Sequence, residues 1–237
     1  MTTFSWPNGT LLGGVVGSTA YGLDRGGSDV DRLGVRAASW LELTGLAPPL
    51  GSRESSWTTK DPDSAVHEAL KFCHLALSCN PTLLELMWLP NELLEVHHEL
   101  GNQLVGVRQA FLSRHAVRAS YLGYADSQFS LLSTRGSFSS TLRNRTEKHA
   151  RHMLRLLTQG LQLYATGEVV LRVEDPEVYF DFGSRIAAGD LDLARSKLSL
   201  FESKFNAAAS PLAEKPNREA VEGWLRRTRM WTAYGML

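Results

Sequence analysis

The chain has 237 residues, 43% hydrophobic and 21% charged, the composition of a folded globular protein; it excludes a low-complexity or disordered chain. Its 25 Lys and Arg balance its 25 Asp and Glu, so no global positive field draws it onto nucleic acid or anionic membrane, and a polyanion must be met by a local patch. No apolar run approaches the ~20 residues that span a bilayer, Met1 to Trp6 lacks a secretory pattern, and Cys73 and Cys79 have no second thiol or imidazole at metal-finger spacing, so a cytoplasmic protein with two reduced core thiols is expected.

Thr10 to Val16 is an apolar run ended by Gly17-Ser18, the pattern of a buried strand entering a tight turn. Thr19 to Leu23 fits one helical turn. After the loop Asp24 to Ser28, residues Asp29 to Arg36 carry Val30, Leu33 and Val35 and predict a second strand, antiparallel to the first. Pro48-Pro49 and Gly51 mark a loop, Ser55 to Lys60 reads as a further strand, and Asp61-Pro62-Asp63 punctuates it. The spacing of Val66, Leu70, Phe72, Cys73, Leu75, Ala76 and Leu77 predicts a helix over Ser64 to Ser78, and Pro81, behind Asn80, starts another that runs to Trp88. From Glu92 onward the chain reads as amphipathic helix with breaks at Gly101, Gly136, Gly167 and Gly183. It closes with helices over Asp190 to Ala207 and Pro216 to Met230, the latter carrying Arg218, Arg226, Arg227 and Arg229 on its solvent side.

The residues that carry chemistry stand near the start. Asp29-Val30-Asp31 opens a strand, and the period of two puts both carboxylates on one face. Two acids side by side repel each other unless a cation lies between them, and hard oxygen donors at this spacing suit Mg²⁺ or Mn²⁺ bound to substrate phosphates. Gly17 lets the backbone approach a phosphate, and the Ser18 hydroxyl and neighbouring amides donate to its oxygens. Together these parts describe a triphosphate on the Gly-Ser turn, metal bridging it to the aspartates, and an acceptor hydroxyl attacking the α-phosphate in line.

Val16-Gly17-Ser18-Thr19-Ala20-Tyr21-Gly22 followed by Ser28-Asp29-Val30-Asp31 resembles the signature of the DNA polymerase beta-like nucleotidyltransferase superfamily. A closer similarity is to the RlaP-type predicted nucleotidyltransferases associated with RNA repair, which include bacteriophage members. That match continues through Lys71-Phe72, Asn80-Pro81 to Glu85 and Trp88, Lys148-His149 to His152, Arg155-Leu156-Leu157 and Gly167-Glu168. The resemblance implies an α/β (α+β) protein in which a minimal nucleotidyltransferase mixed sheet, flanked by helices, occupies residues 1–90, and a helical C-terminal region, 91–237, completes the active site. It also implies a third carboxylate, a metal ligand and base for the acceptor hydroxyl. Asp63 is the first choice, because it precedes Val66 to Phe72, which could open as a strand before becoming helix, with Asp61, Glu68 and Glu85 as alternatives.

Lys148, His152 and Arg155 fall at i, i+4 and i+7, so a helix presents them on one face, near Arg143, Arg145 and Arg151. Such a face is either solvated or a clamp on triphosphate or nucleic acid. His149 reads as structural, His97-His98 as a helix surface, and Tyr21, Trp40, Trp57 and Trp88 as core aromatics or base-stacking surfaces. The expected activity is metal-dependent transfer of a nucleoside monophosphate from a nucleoside triphosphate to an acceptor hydroxyl, an RNA 3′ end first and a protein hydroxyl second. The rivals are a catalytically silent nucleotide-binding module and a helical scaffold that binds a partner through its basic face.

Overall fold

The computed structural model describes residues 4–25, 29–46, 56–60, 63–134 and 140–235. Among them, five strands form one mixed sheet: β1 Thr10–Val16, β2 Asp31–Arg36, β3 Ser56–Lys60, β4 Asp63–Glu68 and β5 Leu94–His97, in the order β3-β4-β2-β1-β5. β1 runs antiparallel to β2 and β5, and β3 antiparallel to β4, while β2 and β4 are parallel. The helices are α1 Ser18–Tyr21, α2 Trp40–Thr44, α3 Ala69–Leu77, α4 Pro81–Leu86, α5 Glu99–Gly106, α6 Arg114–Thr134, α7 Ser140–Thr166, α8 Pro176–Ala187, α9 Leu191–Ala207 and α10 Arg218–Ala233. The expected α+β class, a mixed sheet with flanking helices and a helical C-terminal region, is the observed one. Among the described residues no helix is long and apolar enough to cross a membrane.

The chain divides into two compact units, Met1–Leu112 with Pro216–Leu237, and Ser113–Lys215. In the first, Leu11, Leu12, Leu33, Val35, Val66, Phe72, Leu84 and Leu100 form a buried core on the sheet, and the free thiols of Cys73 and Cys79 are buried with it. The last helix belongs here although it is far away in sequence: α10 packs against α3 and α5, and the buried Trp224 donates its indole N–H to the Leu100 carbonyl at 2.8 Å. The second unit is helical, α7 packing along α6 and α8, with α9 against α6 and α7.

Helix starts follow their capping chemistry. Ser39 and Glu42 form a reciprocal capping box at α2, Asn80 accepts from the Thr82 and Leu83 amides ahead of Pro81 in α4, and Asp190 accepts from the Leu193 amide at α9.

Several sequence expectations are corrected. Of the two readings of the segment after Asp63, strand before helix is the observed one, and the helix spacing from Ser64 does not hold: Ser64, Val66 and Glu68 alternate as buried residues, and the helix begins at Ala69, where the Glu68 carboxylate accepts from the Leu70 amide. Within the run expected to be helical from Glu92, Leu94–His97 is the edge strand β5, so His97 lies on a strand, while His98 caps α5 by accepting from Leu100 N–H and sets its ring edge-on to Trp231. Gly101 and Gly183 do not break helices. Each lies inside one where a side chain would strike a neighbouring backbone carbonyl, that of Leu11 and that of Glu147 respectively. Arg229 is not on the solvent side, since its Nε and Nη2 atoms are buried, whereas Arg218, Arg226 and Arg227 are exposed. Gly167 does end α7, with a positive φ of 80°. The loops at Gly26-Gly27 and Pro48 to Gly51, the break at Gly136, and Asp61 with Pro62 lie outside the described residues.

Candidate active site

β1 delivers Gly17 and Ser18 to one end of the sheet. Gly17 has φ 71° and ψ −148°, a region essentially reserved for glycine, and α1 follows at once with Ser18 as its first residue. Gly17 has no side chain with which to cap α1, and within the turn the Tyr21 amide donates to the Gly17 carbonyl at 3.1 Å.

β2 begins at Asp31, which is paired with Val16 across the antiparallel ladder, so the acid emerges beside the Gly-Ser turn. The approach is close: a Cβ built on Gly17 would overlap Asp31 Oδ2 and sit 3.2 Å from both Asp31 Cβ and Cγ. Only glycine lets the carboxylate and the turn share this space.

The parallel pairing of β2 with β4 matches Arg32 to Ser64 and Leu33 to Ala65. Continued one step, this register sets Asp63, the first residue of β4, alongside Asp31 on the same face of the sheet. Asp29 lies two residues before Asp31, exposed and outside any strand. Among the described residues no three His, Cys, Asp or Glu side chains are grouped to hold a metal ion. The pair Asp31 and Asp63 fits Mg²⁺ in its usual setting, where one or two carboxylates bind the ion and substrate phosphates and water complete its shell.

The alternative third acids have other partners. Glu68 is buried at the start of α3, where burial raises its pKa while bonds from the Leu70 and Lys71 amides and the charges of Arg229 and Arg36 oppose the rise. Glu85 is 0% exposed on α4 and accepts a hydrogen bond from the Tyr21 hydroxyl at 2.5 Å. In the sequence these two residues stand 64 positions apart, one a candidate acid and the other a candidate aromatic, and only the fold brings them into contact.

Lys148, His152 and Arg155 belong to the second unit, on α7. Lys148 is exposed. Arg155 is 1% exposed, and its guanidinium donates to Gln159 Oε1 at 2.7 Å and to His152 Nδ1 at 3.2 Å. Burial, with the charges of Arg155, His149 and Lys148, drives the His152 pKa from 6.5 down to about 3, so the ring is neutral. His149 is structural, bonded to Gln128 at 2.8 Å. Arg143 and Arg151 both pair with Glu147, which leaves less net charge on this face than the sequence suggests.

A cleft of about 730 Å³ opens at the other end of the sheet, among Asn8, Arg36, Glu42, Ser56 and Trp57, and is not lined by Gly17, Ser18, Asp29, Asp31 or Asp63. Behind it the Ser56 hydroxyl is bonded to His67 Nδ1 and to the Lys71 ammonium, both at 2.7 Å. Burial and the Lys71 charge push the His67 pKa down to about 4, so its ring is neutral. Of the other aromatics, Trp40 is half exposed and Trp88 lies under the Arg108 guanidinium, 5.0 Å from its ring centre.

A mixed sheet whose first strand ends in a Gly-Ser turn, with an aspartate of the next strand packed on that glycine, is the arrangement expected of the DNA polymerase beta-like nucleotidyltransferase class. The model of the RlaP family, described as the RNA repair pathway DNA polymerase beta family, matches residues 6–176, and the chain belongs to this family. No curated protein matches the chain.

Proposed function

We propose that the protein transfers a nucleoside monophosphate from a nucleoside triphosphate to the 3′ hydroxyl of an RNA, using Mg²⁺ or Mn²⁺. The observation that supports this is the close approach of Asp31 to Gly17, where a Cβ on the glycine would overlap the carboxylate; in this reading it sets a metal-binding acid beside the turn that receives phosphate. The RNA repair association of the family supports RNA as the acceptor.

In this reading the Ser18 hydroxyl and the amides at the start of α1 receive the phosphates, and Asp31 and Asp63 would hold the metal, with Asp29 as a further acid two residues before Asp31. The bound ion supplies Lewis-acid neutralisation of the phosphates and of the leaving pyrophosphate. Asp63 accepts the proton as the acceptor oxygen forms its bond to the α-phosphorus, and the bond to the β-phosphate oxygen breaks to release pyrophosphate. Of the α7 residues, exposed Lys148 offers charge to a polyanion, neutral His152 offers none, and Arg155 acts by holding His152 and Gln159 in place.

The test is label transfer from α-labelled triphosphates with Mg²⁺, offered RNA, DNA and protein acceptors in parallel. RNA 3′-end labelling that is lost in Asp31→Ala is expected, with a fall of at least ~10²-fold for loss of a metal-binding acid. Labelling of protein alone would redirect the acceptor, and no transfer by the wild type to any of the three would overturn the reading.

A further inference from the structure

α1 is a single turn of four residues, too short to hold its own conformation in water, and it starts from a glycine backbone that other residues avoid. Something outside the turn must fix it. Its last residue, Tyr21, is 8% exposed, and its hydroxyl donates at 2.5 Å to a carboxylate oxygen of Glu85, which is wholly buried. A buried carboxylate is costly unless it is hydrogen-bonded, so this contact is not incidental.

Glu85 is held in its turn. Asn80 accepts from the Thr82 and Leu83 amides, and Pro81 presets the backbone of the first turn of α4, so the helix that carries Glu85 has a fixed start. At the other end of the connection, the Tyr21 amide donates to the Gly17 carbonyl at 3.1 Å, and Gly17 abuts Asp31. A continuous line of contacts therefore runs from Asn80-Pro81 through Glu85 and Tyr21 to the Gly-Ser turn and its aspartate.

We infer that Tyr21 and Glu85 are positioning residues: the buried carboxylate on α4 holds the Tyr21 hydroxyl and thereby sets the Gly17-Ser18 turn in the geometry that binds triphosphate. Neither touches substrate. This inference rests on the proposed function, because it assigns the turn a triphosphate to bind.

The chemistry predicts which replacements matter. Phe at position 21 keeps the ring and removes the donor, and Leu at position 85 removes the acceptor. Gln at position 85 keeps an oxygen that accepts from Tyr21, so Glu85→Gln should rescue what Glu85→Leu loses.

The experiment measures binding of an α,β-methylene triphosphate analogue with Mg²⁺ by titration calorimetry, which needs no turnover, alongside hydrogen exchange of the Tyr21, Gly22 and Leu23 amides. Tyr21→Phe and Glu85→Leu should weaken binding by about tenfold and speed exchange at those amides, with α3 and α5 amides unchanged, while Glu85→Gln stays within about threefold of wild type. If a variant fails to fold, the folded ones among the three decide the matter through the same two readings. Wild-type affinity in Tyr21→Phe, or equal losses in Glu85→Gln and Glu85→Leu, would overturn the positioning role. A wild type that binds no analogue would instead overturn the proposed function beneath it.

Discussion

Replacing Gly17 by alanine tests the geometry of the site most directly, because the substitution adds one carbon at a known place. Two costs arise. Backbone at φ 71° and ψ −148° disfavours any L side chain, by about 1–3 kcal/mol. The new methyl also lands on the Asp31 carboxylate; rotating the carboxylate clears Oδ2, but Asp31 Cβ and Cγ remain 3.2 Å away, so the strand or the turn must shift, at a further ~1–3 kcal/mol. Transfer activity should fall by roughly 100-fold, as expected for a reacting group displaced by about an ångström. The two costs separate in a double-mutant cycle. In an Asp31→Ala background the backbone cost of Gly17→Ala persists while most of the collision disappears, so the pair should show a coupling of about 1–2 kcal/mol in urea unfolding. Additivity within ~0.4 kcal/mol would mean that Gly17 and Asp31 do not share this space, and the argument for a joint phosphate and metal site would fail with it.

Acid should destabilise the second unit through His152. Its folded pKa, about 3, lies below the ordinary 6.5, so between these values the unfolded chain binds the proton and the folded chain does not; stability is full above about pH 6.5 and falls as the pH drops through that window. The loss from pH 8 to pH 5 is about 2 kcal/mol for one such histidine, and His152→Gln, whose amide oxygen still accepts from Arg155, should remove it in urea titrations at the two pH values. An unchanged pH dependence in the variant would refute the assignment. Cys79 offers a reversal of the usual order of Gly and Ala: it is the one non-glycine residue with positive φ among those described, at 54°, so Cys79→Gly should be more stable than Cys79→Ala by about 1 kcal/mol, although both lose the same buried thiol. The comparison is read from thermal melts, and an Ala variant as stable as the Gly variant would contradict it.

What was legible in the sequence was local. β1 and β2 appear as short apolar runs, the turn that ends β1 as Gly17-Ser18, and Asp31 as an acid at a strand start, all within about thirty residues, where pattern and spacing suffice; β2 begins two residues later than the pattern suggests, so Asp29 lies outside it. β4 was ambiguous because Val66, Leu70 and Phe72 also satisfy helical spacing, and no glycine or proline separates strand from helix; the boundary is made by Glu68, a carboxylate that serves as the cap. β5 was hidden in the same way, its four residues lying between stretches that read as helix, and its pairing with β1 is settled by the sheet edge it covers. On α7 the periodicity that aligned Lys148, His152 and Arg155 is shared with the buried stripe of Ala150, Met153, Leu154 and Leu157. Spacing alone therefore could not tell an arginine facing solvent from one bonded to Gln159 along the helix.

The division between legible and hidden has a physical origin that bears on the site. Groups proposed to contact substrate must be held in a fixed sequence order by a turn and two strand ends, so their signature is compact. The groups that hold them need only be near in space: Glu85 reaches Tyr21 across 64 residues, and α10 returns to the sheet-bearing unit after a whole second unit has intervened. A motif search recovers the first kind and is blind to the second. The consequence is sharpest for Glu85, which as a carboxylate in a matched motif looks like a metal ligand, yet its full burial and its bond to Tyr21 give it the work of keeping a one-turn helix in place. Asp63 has the opposite profile, exposed and one step before the Arg32–Ser64 pair of the parallel ladder, and it is by this difference in burial that the proposed function gives the two acids different tasks.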